Sequence, residues 1–459
     1  MNSMPAKNLL LRYLLGAATL IVLTTPFQFA KSYPLDGYED TGIGRLEAAS
    51  RMQQGVLKGR KQPKGALLTR PQVDLRLLDR KDFVLPEVDQ NFSKQIKSLL
   101  GDKASRYGIS VLDLSDLENI RYAEHNGNSA QNPGSVGKLL VALGIFQALA
   151  DIYPDDLDKR WEILRDTTIT ADEFIISDSH TVRMWDRENE KLIRRPLKIG
   201  DKGSLFEYLD WMISPSSNAA AATLTKHAML LKNFTHAYPT TIETADNYFK
   251  ETDRKELSAT LAAAIEEPVS RNGMDLEKMR QGSFFTRTGK KKVQGKTSYG
   301  TARELMKLML LMEQGKLVDE FSSREMKRLM YVTERRIRYA SAPALRDAAV
   351  YFKSGSLYKC QPEPDFKCKK YHGNVRNFMN SVAIVEYPSA ERDLFYIVTL
   401  MSNVLRRNSA VDHQTFATRT HRLIQSFHKE RIKSEKAAKA MPPKPTISND
   451  GGHEVYRYE

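Results

Sequence analysis

Three short groups of side chains, far apart along this 459-residue chain, carry the chemistry its sequence could perform. The first is Ser135-Val136-Gly137-Lys138, a serine and a lysine three positions apart. On a helix, positions i and i+3 share a face, so the Lys138 nitrogen can reach the Ser135 hydroxyl. That hydroxyl attacks a carbonyl only when a base takes its proton, and a lysine desolvated beside other cations loses enough basicity to serve. A helix start also turns the serine's own N–H outward, as one half of an oxyanion hole. The same spacing recurs at Ser356/Lys359 and Ser426/Lys429, so it can arise by chance. Only Ser135 stands at the start of a long apolar run.

The second group is Ser216-Ser217-Asn218, placed by Pro215 at a break between two helical stretches. There the Ser216 hydroxyl can carry a proton to a leaving nitrogen, and Asn218 can hold Lys138 or a substrate amide. The same residues also suit an ordinary helix cap. The third is Lys353-Ser354-Gly355, after the strand-like AVYF. Lys353 and Ser354 offer donors to a carboxylate, Gly355 lets a substrate backbone approach, and the Ser356 N–H can complete the oxyanion hole. A plain strand end is the alternative. Arg287-Thr288-Gly289 has a similar form but stands among Lys290, Lys291 and Lys292 in a polar stretch. The two cysteines, Cys360 and Cys368, fit a loop-stapling disulfide in an exported chain. Their spacing is not CxxC and the nine histidines form no ligand cluster, so no metal is expected.

The elements that must position these groups are legible from periodicity. Phe92, Ile96, Leu99 and Leu100 recur at helical spacing, residues 107–114 (YGISVLDL) alternate like a strand, and 120–123 form a second short strand. Asn132-Pro133-Gly134 breaks the chain before Ser135, and 139–150 form a buried helix. Helices follow at 205–213, 219–231, 302–312 and 323–330. Strands are expected at 348–352, 380–387 and 394–401, then a last helix at 416–427. Closing strands joined by short connections must be antiparallel, which predicts an antiparallel sheet covered by helices with an inserted helical lobe.

Composition bounds the rest. With 41% hydrophobic and 27% charged residues the chain can bury a sizeable core. Seventy Lys+Arg against 56 Asp+Glu leave +14, which suits contact with a membrane surface or an anionic cell-wall polymer. Nucleic acid is disfavoured because residues 1–30 have the form of an export signal or N-terminal membrane anchor: Lys7 and Arg12, then an uncharged apolar stretch over 13–30. Residues 31–83 are expected to be a basic flexible linker, 84–428 the folded domain, and 429–459 a disordered tail.

SxxK at a helix start, SxN at a helix break and K-[ST]-G on a strand, in that order, resemble the catalytic elements of the penicillin-recognising serine enzymes. The chain from about residue 84 to 428 is similar to the class A β-lactamases, through NPGSVGKLLVAL, LFEYLDWMISPSSNAAAATL, TARELMKLMLLMEQGKL and YFKSGS. The resemblance implies an α/β (α+β) fold of β-lactamase/transpeptidase type, with a five-stranded antiparallel sheet flanked by helices plus an all-helical lobe. It implies Ser135 as acylated nucleophile, Lys138 as base, Ser216 and Asn218 as proton relay and positioner, and Lys353, Ser354, Gly355 and Ser356 as the substrate-binding edge. No cofactor is needed.

Departures from that pattern shape the expectation. Ser217 stands where class A enzymes have Asp. The loop before Thr301, residues 281–290, lacks the glutamate that activates their deacylating water. The long spacings imply insertions at about 168–197 and 232–255. The sequence therefore predicts an exported serine hydrolase, in the periplasm or cell envelope, that acylates Ser135 with a β-lactam or a peptidoglycan peptide and deacylates slowly. A D-alanyl-D-alanine carboxypeptidase and a non-catalytic envelope-binding relative are the competing expectations.

Overall fold

A computed structural model of the protein describes residues 36–333, 336–440, 446–448 and 455–457. Its centre is a five-stranded antiparallel sheet: β1 (Tyr107–Asp113), β2 (Arg121–His125), β3 (Ala349–Lys359), β4 (Arg376–Tyr387) and β5 (Leu394–Asn403), in the spatial order β2-β1-β5-β4-β3. All four pairings are antiparallel, and the short loops joining β1 to β2 and β4 to β5 require it of those two pairs. The three long strands read as nearly continuous apolar runs because both faces of the sheet are covered. On β4, for example, Val382 and Ile384 enter one core while Ala383 and Val385 enter the other.

One face is closed by α1 (Gln90–Ser98) and a long C-terminal helix, Ser409–Phe427, through Phe92, Ile96, Phe416 and Ile424. Asp89 starts α1 by accepting the Phe92 N–H at 2.9 Å. The other face carries the helical lobe: α2 (Lys138–Ile152), α3 (Leu205–Ile213), α4 (Asn218–Phe234), α5 (Ala302–Glu313) and α6 (Glu320–Tyr331). Helix α2 is apolar nearly all round, which is the pattern of a helix buried on every side. Lys138 is the one charged residue among its buried positions. The expected architecture, sheet plus helical lobe, is thus the observed one.

Two expectations need correction, and a third gains detail. The stretch predicted to be a flexible linker is folded over 36–83: helices at Tyr38–Thr41 and Gly44–Gln54 lead into turns whose Ile43, Leu46, Leu68, Val73 and Leu77 join the main core. Its apolar residues reach the main core although its composition is polar. The insertion at 168–197 forms a hairpin, Thr181–Asp186 with Lys191–Pro196, that alternation had not revealed. The expected disordered tail begins as a helix, Lys429–Ala440, tied down where Arg431 donates to the Asp393 carbonyl and Lys436 pairs with the Asp393 carboxylate, and a short antiparallel pair joins Thr446–Ser448 to Val455–Arg457. The segment 1–30 lies outside the described residues. Among those described, the one helix long and apolar enough to cross a membrane is Gly134–Ile152, and it is mostly buried in the domain.

Candidate active site

Ser135 sits on a tight turn, Gly134–Gly137, that feeds directly into α2. Two features of the sheet hold the turn. Asn380 of β4 donates to the Asn132 carbonyl at 3.1 Å and accepts from Gln131 at 2.6 Å. Edge strand β3 then packs against the turn at two glycines. A Cβ on Gly355 would stand 2.4 Å from the Pro133 oxygen and 2.5 Å from the Ser135 nitrogen. Gly134 has φ of +54°, a conformation natural to glycine, and a Cβ there would lie 3.2 Å from the Ser356 nitrogen. This close approach sets the backbone of Ser356 beside that of Ser135, and an edge strand has N–H groups to offer on its open side.

Lys138 is fully buried, and its Nζ is surrounded by oxygens: Ser135 Oγ at 3.1 Å, Ser216 carbonyl at 2.6 Å, Ser216 Oγ at 3.3 Å and Asn218 Oδ1 at 2.8 Å. Burial pushes its pKa down to about 7; the carboxylate of Asp178 pulls it up and the Arg338 guanidinium pushes it down. Lys353, also buried, donates to Ser216 Oγ at 2.8 Å. Desolvation first, and then the nearby Lys138 and Arg338, hold Lys353 well below the ordinary lysine range. The Ser216 hydroxyl therefore bridges two lysines whose mutual repulsion favours a neutral amine in the pair. Residues 135, 138, 216, 218 and 353, dispersed in sequence, are joined by one connected set of hydrogen bonds through Lys138 and Ser216.

The Ser216 turn is held by a residue that the sequence did not single out. Ser216 has φ of +66°, unusual for serine. Beside it, Ser217 caps α4 at the Ala220 N–H and donates to Asp178 Oδ2 at 2.9 Å, and the Ala219 N–H donates to the same oxygen at 2.8 Å. Asp178 Oδ1 accepts from His180 Nδ1 at 2.6 Å. Burial pushes the Asp178 carboxyl up, but the bonds from His180 and the Ala219 amide outweigh it and keep the group below the usual carboxylate range. Thus the carboxylate absent from position 217 reaches this turn from the inserted segment.

On the open face of β3, Ser354 and Ser356 point the same way, two residues apart. Arg338 donates to both hydroxyls, at 2.7 and 3.0 Å, and to the Tyr371 hydroxyl at 3.1 Å, with its guanidinium 4.8 Å above the Tyr371 ring. Arg338 was not legible either: it lies in a connection, at φ of +54°, with no local pattern to mark it. Tyr371 follows the loop closed by the Cys360–Cys368 disulfide. The two spare SxxK serines divide: Ser356 faces the cleft, while Ser426 is exposed and donates only to the Leu423 carbonyl.

The groups line a cleft of about 1410 Å³. Its other wall is the loop over 281–298. Gln281 lies against Gly137, donating to the Ser283 carbonyl at 2.6 Å, and the Phe285 ring centroid is 5.0 Å from Lys138 Nζ. Among the described residues lining the cleft there is no Asp or Glu. Arg287-Thr288-Gly289 opens a short helix, Arg287–Lys292, on this loop. The arrangement supplies a hydroxyl with a neutralisable amine at its side, two neighbouring backbone amides, and a strand edge faced by the Arg338 guanidinium: the parts needed to acylate a serine with an amide that has a carboxylate next to it.

Residues 91–419 match the β-lactamase enzyme family. No curated protein matches the chain significantly. Among solved structures, the chain is similar to PBP-A at 14% identity, over 75% of this chain and 100% of that one, with a TM-score of 0.47. It is also similar to a β-lactamase from Chitinophaga pinensis at 16% identity, over 73% and 99% of the two chains, with a TM-score of 0.47. A class A β-lactamase from Bacteroides cellulosilyticus shares 18% identity over 74% and 98%, with a TM-score of 0.44.

Proposed function

The chain belongs to the β-lactamase enzyme family, and on that premise we propose that it is an exported serine hydrolase that forms an acyl-enzyme on Ser135 with a β-lactam or a related amide. The observation that carries this is the Lys138 nitrogen, buried, with a pKa lowered to about 7, and 3.1 Å from the Ser135 hydroxyl.

Neutral Lys138 takes the Ser135 proton as Oγ bonds to the substrate carbonyl carbon. The Ser135 and Ser356 amides receive the developing oxyanion. As the carbon–nitrogen bond breaks, the Ser216 hydroxyl passes a proton to the leaving nitrogen and is reprotonated from the adjoining lysines. Lys353, Ser354 and Arg338 bind the substrate carboxylate. Deacylation lacks an evident base, because no carboxylate is found among the described residues lining the cleft and the Phe285 ring stands over Lys138. A slowly hydrolysed acyl-enzyme follows, and it favours a D-alanyl-D-alanine carboxypeptidase as the second reading over efficient antibiotic hydrolysis. The uncharged stretch 13–30 supports an export signal or anchor and hence a periplasmic or cell-envelope location.

Intact-protein mass spectrometry after incubation with benzylpenicillin is the test. The expected result is a long-lived adduct on Ser135 that Ser135→Ala abolishes. Absence of any adduct would overturn the proposal and favour a non-catalytic envelope-binding relative. Release of D-alanine from a peptidoglycan peptide, without turnover of a chromogenic cephalosporin, identifies the carboxypeptidase.

A further inference from the structure

The charge of the cleft is one-sided, and it extends past the residues that a single carboxylate needs. Arg338 stands at the β3 end. Lys290 and Lys296 come from the loop over 281–298, Arg194 from the inserted hairpin, and Lys370 from beyond the disulfide loop; no acidic residue among the described lining residues offsets them. Asp178 approaches from behind, but its carboxylate is engaged by Ser217, Ala219 and His180.

The loop and the inserted segment form one continuous wall. Thr286 Oγ1 donates to the Phe174 carbonyl at 2.6 Å, the Arg287 N–H donates to Ser177 Oγ at 2.9 Å, and the Phe174 and Phe284 rings are 5.3 Å apart. Arg194 is fixed to the same wall by its 2.9 Å bond to Thr181 Oγ1. The nucleophile's turn stands between this wall and the strand: Gly134 meets β3 on one side, and Gly137 meets Gln281 on the other. A substrate that acylates Ser135 with its carboxylate on β3 therefore lays its acyl side chain toward the basic wall. Lys296 reaches Glu266 at 3.3 Å yet remains 59% exposed, so its charge is still available to a ligand.

We propose that the preferred acyl donor carries a second carboxylate, on the acyl side of the scissile amide, received by Lys290, Lys296 and Arg194. This rests on the acylation of Ser135 proposed above and specifies its substrate class: a dianionic or polyanionic amide in place of a monoanionic one. Opposite charges on ligand and cleft also speed encounter, and salt weakens the effect.

Benzylpenicillin and carbenicillin test it, since they differ by one added carboxylate on the acyl side chain. The second-order rate constant for labelling Ser135 is measured for each, and their ratio is the readout, because any general damage to the site cancels from it. Carbenicillin is expected to label the protein about tenfold faster at low ionic strength, with the advantage shrinking at about 0.5 M salt. In a Lys290→Glu/Lys296→Glu variant the preference should reverse. A wild-type ratio of one or below, or a ratio that the double variant leaves unchanged, overturns the proposal while leaving acylation intact. Failure of both compounds to label the wild-type protein overturns the acyl-enzyme reading itself.

Discussion

A lysine with no exposed surface, ringed by oxygens of Ser135, Ser216 and Asn218, is the centre of the site at the residue scale. Those oxygens would favour an ammonium, but desolvation dominates and sets the pKa near 7. The sign of the pH dependence follows. Only the neutral amine can accept the Ser135 proton, so acylation should fall about tenfold per pH unit below about pH 7 and level off above it. Lys138→Arg should remove this limb together with the activity, because a guanidinium keeps its proton across the range. Labelling rates measured between roughly pH 5 and 9 check it. A flat profile would show that some other group activates the serine.

Among the elements, the contact between edge strand β3 and the Ser135 turn decides the geometry. It has no room for a side chain: the nearest backbone atoms would lie within 2.5 Å of a Cβ on Gly355. Gly355→Ala should push the strand off the turn, misplacing the Ser356 amide and Arg338 relative to Ser135. A displacement of that size is expected to cut the acylation rate by about 100-fold. The fold, held by two cores on the two faces of the sheet, should survive with its circular dichroism spectrum unchanged. An alanine variant that acylates at the wild-type rate would show that the close approach is not what sets the oxyanion site. The helix break at Ser216 is held in the same manner, by Asp178 across 39 residues of sequence, so the inserted segment is part of the site's framework.

For the molecule as a whole, the N-terminal strap over 36–83 joins parts that the sheet does not. Arg45 inserts into the helical lobe, donating to both Asp210 oxygens at 2.6 and 2.5 Å, to Ser214 Oγ at 3.2 Å, just before the Ser216 turn, and to the Val332 carbonyl at 2.6 Å. Asp210 has no exposed surface. Arg45→Ala strips a buried carboxylate of this guanidinium and should destabilise the protein by about 3 to 5 kcal/mol. Thermal and denaturant melts read the effect; an unchanged midpoint would mean that the strap only rests on the domain.

The sequence alone determined the order of the three chemical groups, the helix that carries Ser135, the antiparallel closing strands and the disulfide. Each rests on local regularities: a residue three positions on, an alternation of two, a proline break. Arg338, Asp178 and the folded strap left no such trace. Arg338 matters because a positive-φ connection aims it at Ser354 and Ser356, Asp178 because an inserted segment folds back onto Ser217, and the strap because its spaced apolar residues join a core built by helices far along the chain. Patterns within one element fix which face is buried and which side chains are neighbours. Which elements meet, and so which charges face the cleft and how far Lys138 is dried, depends on packing between distant segments, and only the tertiary structure decided that.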